Sequence, residues 1–179
     1  MVPRYKFLFQ IIFFVIASNI ALSEVTVSIG NVSVDGYTED IVVPVTVSNP
    51  SESVGGFQFD VMAMPTIINL SGVSPSNEND FSADFNVFDD GSARIVFYTN
   101  TGEGVLAGGE EAILNLHYNG MDVLSALVDL EAYSLTVSDE EGNVIDGNIV
   151  NGSITIGDVV FFSSDNPATG DILEQVSVD

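Results

Sequence analysis

Val54-Gly55-Gly56-Phe57-Gln58-Phe59-Asp60-Val61 is a glycine pair followed by apolar and polar residues in alternation. Side chains along a strand point to its two faces in turn. Phe57, Phe59 and Val61 therefore fall on one side, and Gln58, Asp60 and Met62 on the other. The apolar side needs a core to fill, and the polar side is left as a sheet face offered to something else. Upstream, Ile41 to Val47 is a Val-rich strand ended by Ser48-Asn49-Pro50. Pro44 within it predicts an edge position or a bulge, because proline cannot donate a ladder hydrogen bond. Downstream, Pro65 and the apolar run Ile67 to Val73 predict a further strand in another layer.

The rest of the chain repeats this grammar. Val25, Val27 and Ile29 alternate with Thr26 and Ser28, and Gly30-Asn31 closes that run. Asp35-Gly36 suits a tight bend. Phe81 to Phe88 and Ala93 to Thr99 flank Asp89-Asp90-Gly91-Ser92, the clearest hairpin in the sequence. Ser74 to Asp80 reads as a polar loop and Thr101 to Gly109 as a glycine-rich one. Ala112, Leu114, Leu116 and Tyr118 alternate with Ile113, Asn115 and His117. Leu127 to Val137 is long enough to bend or bulge, Asp139 to Asn143 turns the chain, and Ile149 to Ile156 forms a last strand. About nine short strands and no helical period predict an all-β sandwich.

A length of 179 residues suits one domain. Residues 1–23 read as a signal peptide: Arg4 and Lys6, an apolar run from Phe7 to Ile16, then Ala21-Leu22-Ser23 before Glu24. The competing reading is a membrane anchor, but the run is short of the ~20 residues that span a bilayer. Residues 24–157 are the predicted sandwich, and 158–179 an acidic linker or disordered tail. After Ser23 the chain has 26 acids against Arg94 alone, a formal charge of −25. That excludes nucleic acid, whose phosphates need Lys and Arg, and disfavours anionic membranes. High-salt adaptation or bound calcium would offset such repulsion. The acids are scattered, which favours the salt reading.

The order of these pieces from Val25 to Ile156 resembles the cohesin domain of scaffoldins and related bacterial and archaeal proteins. The resemblance rests on the Val-x-Val opening, Val-Val-Pro-Val-Thr-Val, Val54-Gly55-Gly56-Phe57-Gln58-Phe59 with Pro65, and the Gly91-to-Tyr98 strand. It continues through the Gly102-to-Gly109 loop, Leu114 to Tyr118, Ser138 to Ile145, and the closing Val150-Asn151-Gly152-Ser153-Ile154-Thr155-Ile156. It implies a nine-stranded jelly-roll that holds a dockerin-like module through one sheet face, with extracellular polysaccharide degradation as the expected setting. Outward positions on its third, fifth, sixth and eighth strands nominate Gln58, Asp60, Met62, Asn86, Phe88, Tyr98 and Asn100. One departure stands out: Ala63-Met64-Pro65 replaces the familiar Tyr-Asp-Pro.

Each nomination has a plainer competitor. Met62, Phe88 and Tyr98 could be covered by loops and extend the core. His117, the one histidine, reads as a surface residue. No Cys occurs and no Lys follows residue 6, so nucleophilic or zinc chemistry has little to work with. No pair of carboxylates is marked for glycoside hydrolysis, so the residues favour a non-catalytic protein with no cofactor. Asp139-Glu140-Glu141-Gly142-Asn143 and Asp89-Asp90-Gly91 are the densest acidic clusters, but neither follows the EF-hand pattern, and solvated turns account for both. Asn31, Asn69 and Asn151 begin glycosylation sequons. The alternative function is a carbohydrate-binding or adhesive surface domain with polysaccharide as partner. The absence of Trp weakens it, since sugar sites favour exposed aromatic platforms.

Overall fold

The computed structural model describes residues 24–48, 53–76, 78, 80–101 and 110–157. The signal-peptide and tail expectations, and the loop at 102–109, lie outside these residues. The elements are β1 (Val25–Ile29), β2 (Asn31–Val34), β3 (Ile41–Ser48), β4 (Gly56–Met64), β5 (Asn69–Pro75) and β6 (Phe81–Val87). They continue with β7 (Ala93–Thr99), β8 (Glu110–Asn119), β9 (Ala126–Ser138), β10 (Val144–Ile145), β11 (Gly147–Val150) and β12 (Gly152–Ile156).

The strands form two sheets, ordered β11-β1-β3-β8-β5 and β2-β12-β9-β4-β7-β6, with β10 paired to β9. The alternation read from sequence fills the space between them. Val25, Val27, Ile29, Ile41, Val43, Val45 and Val47 enter from one sheet, and Phe57, Phe59, Val61, Ile95 and Phe97 from the other, all buried. Phe57 stacks on Phe97 with centroids 4.9 Å apart, and on Phe59 at 6.0 Å. The all-β sandwich is therefore the architecture, with the nine expected runs divided into twelve strands.

The division has a physical cause. The first run does not stop at Gly30. It continues as β2, which pairs in parallel with β12, whereas β1 pairs in parallel with β11. The closing run splits in the same way at Asn151, so two segments change sheet side by side. A Cβ on Gly152 would lie 2.4 Å from the Gly30 carbonyl oxygen, so only glycine permits this approach.

One further expectation is narrowed to one of its two alternatives, and another is corrected. Pro44 is not on an edge strand, because β3 lies between β1 and β8. Its nitrogen faces β1 where β1 ends: the Pro44 carbonyl accepts the last bond, from Gly30 N–H at 2.8 Å. The bulge half of that expectation is met, with a register shift between Val45 and Thr46. That shift makes Ile113 the extra residue on β8, so Ile113 is buried and Ala112 exposed, against the simple alternation. Leu127 to Val137 does bulge: its register against β4 shifts between Gln58 and Asp60, and Ser134 takes φ 57°.

Tyr118 supplies a test of the core. Its hydroxyl is buried with no hydrogen-bond partner among the described residues, and burial pushes its pKa up. An unpartnered buried hydroxyl costs stability, so Tyr118→Phe is expected to be neutral or to stabilise by up to about 1 kcal/mol in denaturant titration. The folded-state pKa is raised, so this group's contribution is complete below the unfolded value of about 10 and is lost as pH rises above it. Tyr118→Phe should remove that share of alkaline destabilisation. A clear loss of stability at neutral pH would show that the hydroxyl is satisfied.

Candidate docking face

The outward side of β4 lies in the middle of a four-strand surface, β9-β4-β7-β6, and the pairing registers define its rows. Across β6, β7, β4 and β9, the first row is Ser82, Tyr98, Gly56 and Ser138. The second is Asp84, Val96, Gln58 and Thr136, and the third is Asn86, Arg94, Asp60 and Tyr133. Met62 and Glu131 continue it on β4 and β9. Strands ~4.8 Å apart make this a surface four strands wide and about three residue pairs long.

The seven nominated residues fall on or beside this surface. Gln58, Asp60 and Asn86 occupy its rows, and Tyr98 stands 49% exposed at one end. Met62 is half-buried. Phe88, just past β6, lies under the Arg94 guanidinium at 5.6 Å. Asn100, just past β7, accepts a hydrogen bond from the Ser82 hydroxyl at 2.7 Å. Neither Phe88 nor Tyr98 is roofed over into the core. Asp60 differs from its expected role, because it is buried and already partnered.

That partner is Arg94, which donates from Nε to Asp60 Oδ1 at 2.8 Å and from an Nη to Oδ2 at 2.9 Å. This bidentate geometry is the strong form of the ion pair. The hydrogen bonds from Arg94 to Asp60, and then the charge of Asp60, push the guanidinium pKa further up. The single arginine after residue 23 is thus spent locally, and the surface around it keeps Asp84 and Glu131. Sequence reading missed Arg94, Val96, Tyr133 and Thr136. The hairpin turn at 89–92 was the available signal for the first two, since it sets Asn86 against Arg94 and Asp84 against Val96.

The acidic turns satisfy themselves. Asp90 accepts from Ser92 Oγ at 2.6 Å and Ser92 N–H at 3.0 Å, and the hydroxyl bond, followed by the backbone one, lowers its pKa. Asp139 accepts from the Asn143 amide side chain and backbone, and the side-chain bond leads in lowering its pKa. Among the described residues no three His, Cys, Asp or Glu side chains are grouped to hold a metal ion.

His117 is more than a solvated surface residue. On the opposite sheet, its Nε2 lies 2.8 Å from Ser74 Oγ and its Nδ1 3.1 Å from Asp40 Oδ1. These are the partners a hydrolytic relay would use. Asp40, however, is 58% exposed, and the trio sits on an open strand surface. The trio straps β5 and β8 to the turn before β3.

With this geometry in hand, comparison with known proteins is informative. A family model described as the cohesin domain matches residues 25–156. No curated protein matches the chain. Among solved structures, a non-cellulosomal cohesin from Archaeoglobus fulgidus superposes with a TM-score of 0.59 at 18% identity, covering 75% of this chain and 91% of that one. A type I cohesin–dockerin complex from Clostridium thermocellum gives a TM-score of 0.61 at 20% identity, covering 75% and 99%. A cohesin from Clostridium acetobutylicum, determined in solution, gives 0.60 at 23%, covering 75% and 92%.

Proposed function

The chain belongs to the cohesin family, and from that premise we propose that it is a secreted or cell-surface recognition module whose β9-β4-β7-β6 face holds a dockerin-like module. The observation that carries this reading is the face itself. Tyr98, Val96 and Tyr133 offer partly exposed apolar area among Gln58, Asn86, Thr136 and Ser82, the mixture that suits a specific protein contact. Several of its structural relatives were solved with dockerins bound. The Asp60–Arg94 pair pins the middle of the face, so the surface is presented without reorganisation. Residues 1–23 would direct export and be removed, leaving no inserted segment, and a role in extracellular polysaccharide degradation follows if the partner carries a hydrolase.

The test is a binding panel. Purified protein is presented to immobilised dockerin modules of several types and, separately, to insoluble cellulose and chitin. Capture by at least one dockerin with no retention on polysaccharide is expected. Retention on polysaccharide with no dockerin bound would contradict the proposal in favour of a carbohydrate-binding domain.

A further inference from the structure

The first row of the face, Tyr98-Gly56-Ser138, has no side chain at its centre. Gly56 is obligatory there: a Cβ would lie 2.8 Å from the Phe97 carbonyl oxygen. Gly55 is equally constrained, since its Cβ would lie 2.3 Å from the Asp139 carbonyl oxygen. The two glycines that let β4 enter the sheet therefore also leave a gap between Tyr98 and the start of the β9–β10 turn. The gap is a groove of about 420 Å³ whose lining includes Gly55, Gly56, Tyr98, Thr136, Asp139 and Glu140.

Its chemistry is asymmetric. Gly55 and Gly56 contribute only backbone and Tyr98 is half exposed, so the lining suits an aliphatic stem or the face of a planar cation. Strands ~4.8 Å apart set Tyr98 and Ser138 about 10 Å apart, wide enough for one extended side chain. Two of the lining residues, Asp139 and Glu140, are acidic. Asp139 is held by Asn143 and keeps its charge into the acid range, while Glu140 accepts a hydrogen bond from the Ser53 hydroxyl. Among the described residues no basic one lines the groove.

We propose that this groove receives one lysine or arginine side chain of the partner module, its stem along Gly56 and Tyr98 and its cationic head at Asp139 and Glu140. The assignment rests on the docking-face reading, because the groove runs directly into the row Val96-Gln58-Thr136. A cation over an aromatic face is attracted by the ring's negative face, and the carboxylates set the sign of charge accepted. The groove thereby explains how a surface this acidic selects its partner: the contact excludes a carboxylate where it admits a guanidinium or ammonium.

The experiment separates the groove from the docking reading. ¹⁵N-labelled protein is titrated with the tripeptides Gly-Arg-Gly and Gly-Glu-Gly, both blocked at their ends. Gly-Arg-Gly should shift the amides of Gly55, Gly56, Tyr98 and Thr136 in one saturable process, with a dissociation constant on the order of millimolar. Gly-Glu-Gly should leave them unmoved. Thr136→Arg, which places a guanidinium at the groove mouth, should abolish these shifts, whereas Val42→Arg on the opposite sheet should preserve them. Shifts spread evenly over acidic surface residues, or unaffected by Thr136→Arg, would overturn the proposal. If the tripeptide shifts are seen but no dockerin binds, the docking reading fails and the cation site stands.

Discussion

Val96→Arg is expected to weaken capture of a binding dockerin module by at least about 100-fold, equivalent to about 2.7 kcal/mol, while leaving the fold intact. Val96 lies between Asp84 on β6 and Gln58 on β4, half-buried in the second row of the face. Binding energy concentrates in a few well-packed central positions that a partner desolvates. An arginine there holds the partner off by the length of its side chain. In the free protein the added guanidinium is solvated, with Asp84 beside it, so the thermal midpoint should stay within a few degrees. Isothermal titration and a melting curve on the same sample decide the matter. Wild-type affinity in this variant would remove the β9-β4-β7-β6 face from consideration.

Phe59→Ala should have the largest effect on stability, about 3–5 kcal/mol by denaturant titration. Phe59 is fully buried and stacks on Phe57, which stacks on Phe97. It sits on β4 between Gln58 and Asp60, so the cavity opens directly behind the face. The loss should therefore reach binding as well: dockerin affinity should fall under conditions where the protein remains folded. A loss under 1 kcal/mol would mean that the two sheets close over the gap and that packing behind β4 is looser than the structure indicates.

How much of this was legible in the sequence depends on the range of the contacts involved. The phase of Phe57-Gln58-Phe59-Asp60 needs only the period of a strand, and it was read without error. The hairpin through Asp89-Asp90-Gly91-Ser92 is local, and its turn sets the β6–β7 register. The partners of β4 are another matter. Thr136, Tyr133 and Ser138 come from a strand more than seventy residues away, and a bulge at Ser134 shifts their phase. No local rule connects them to Gln58. The Asp60–Arg94 pair was hidden for the same reason, so Asp60 was nominated as an outward position of the partner face and is instead a buried anchor. The sheet changes at Gly30 and at Asn151-Gly152 were invisible because each looks like uninterrupted or merely punctuated strand. Their cause is the close approach of two distant backbones. Ile113 shows the limit from the other side: a single extra residue on β8 reverses the alternation that had assigned its neighbours.

The same distinction explains the groove. Gly55-Gly56 was plain in the sequence, yet its consequence depends on Tyr98 of β7 and Asp139 of the turn after β9 lying beside it. Arg94 is the single basic residue after residue 23 besides the histidine, and its pairing with Asp60 leaves the groove to draw its cation from the partner.

The central claim is that one sheet face, and not the other, meets the partner. A cross-saturation NMR experiment on the deuterated protein, in complex with a protonated dockerin module that it captures, reads this directly. The expected result is signal loss at Gln58, Val96, Tyr98, Thr136 and Asn86, with Val42, Asn115 and His117 unaffected. Saturation centred on Val42, Asn115 and His117 would contradict it.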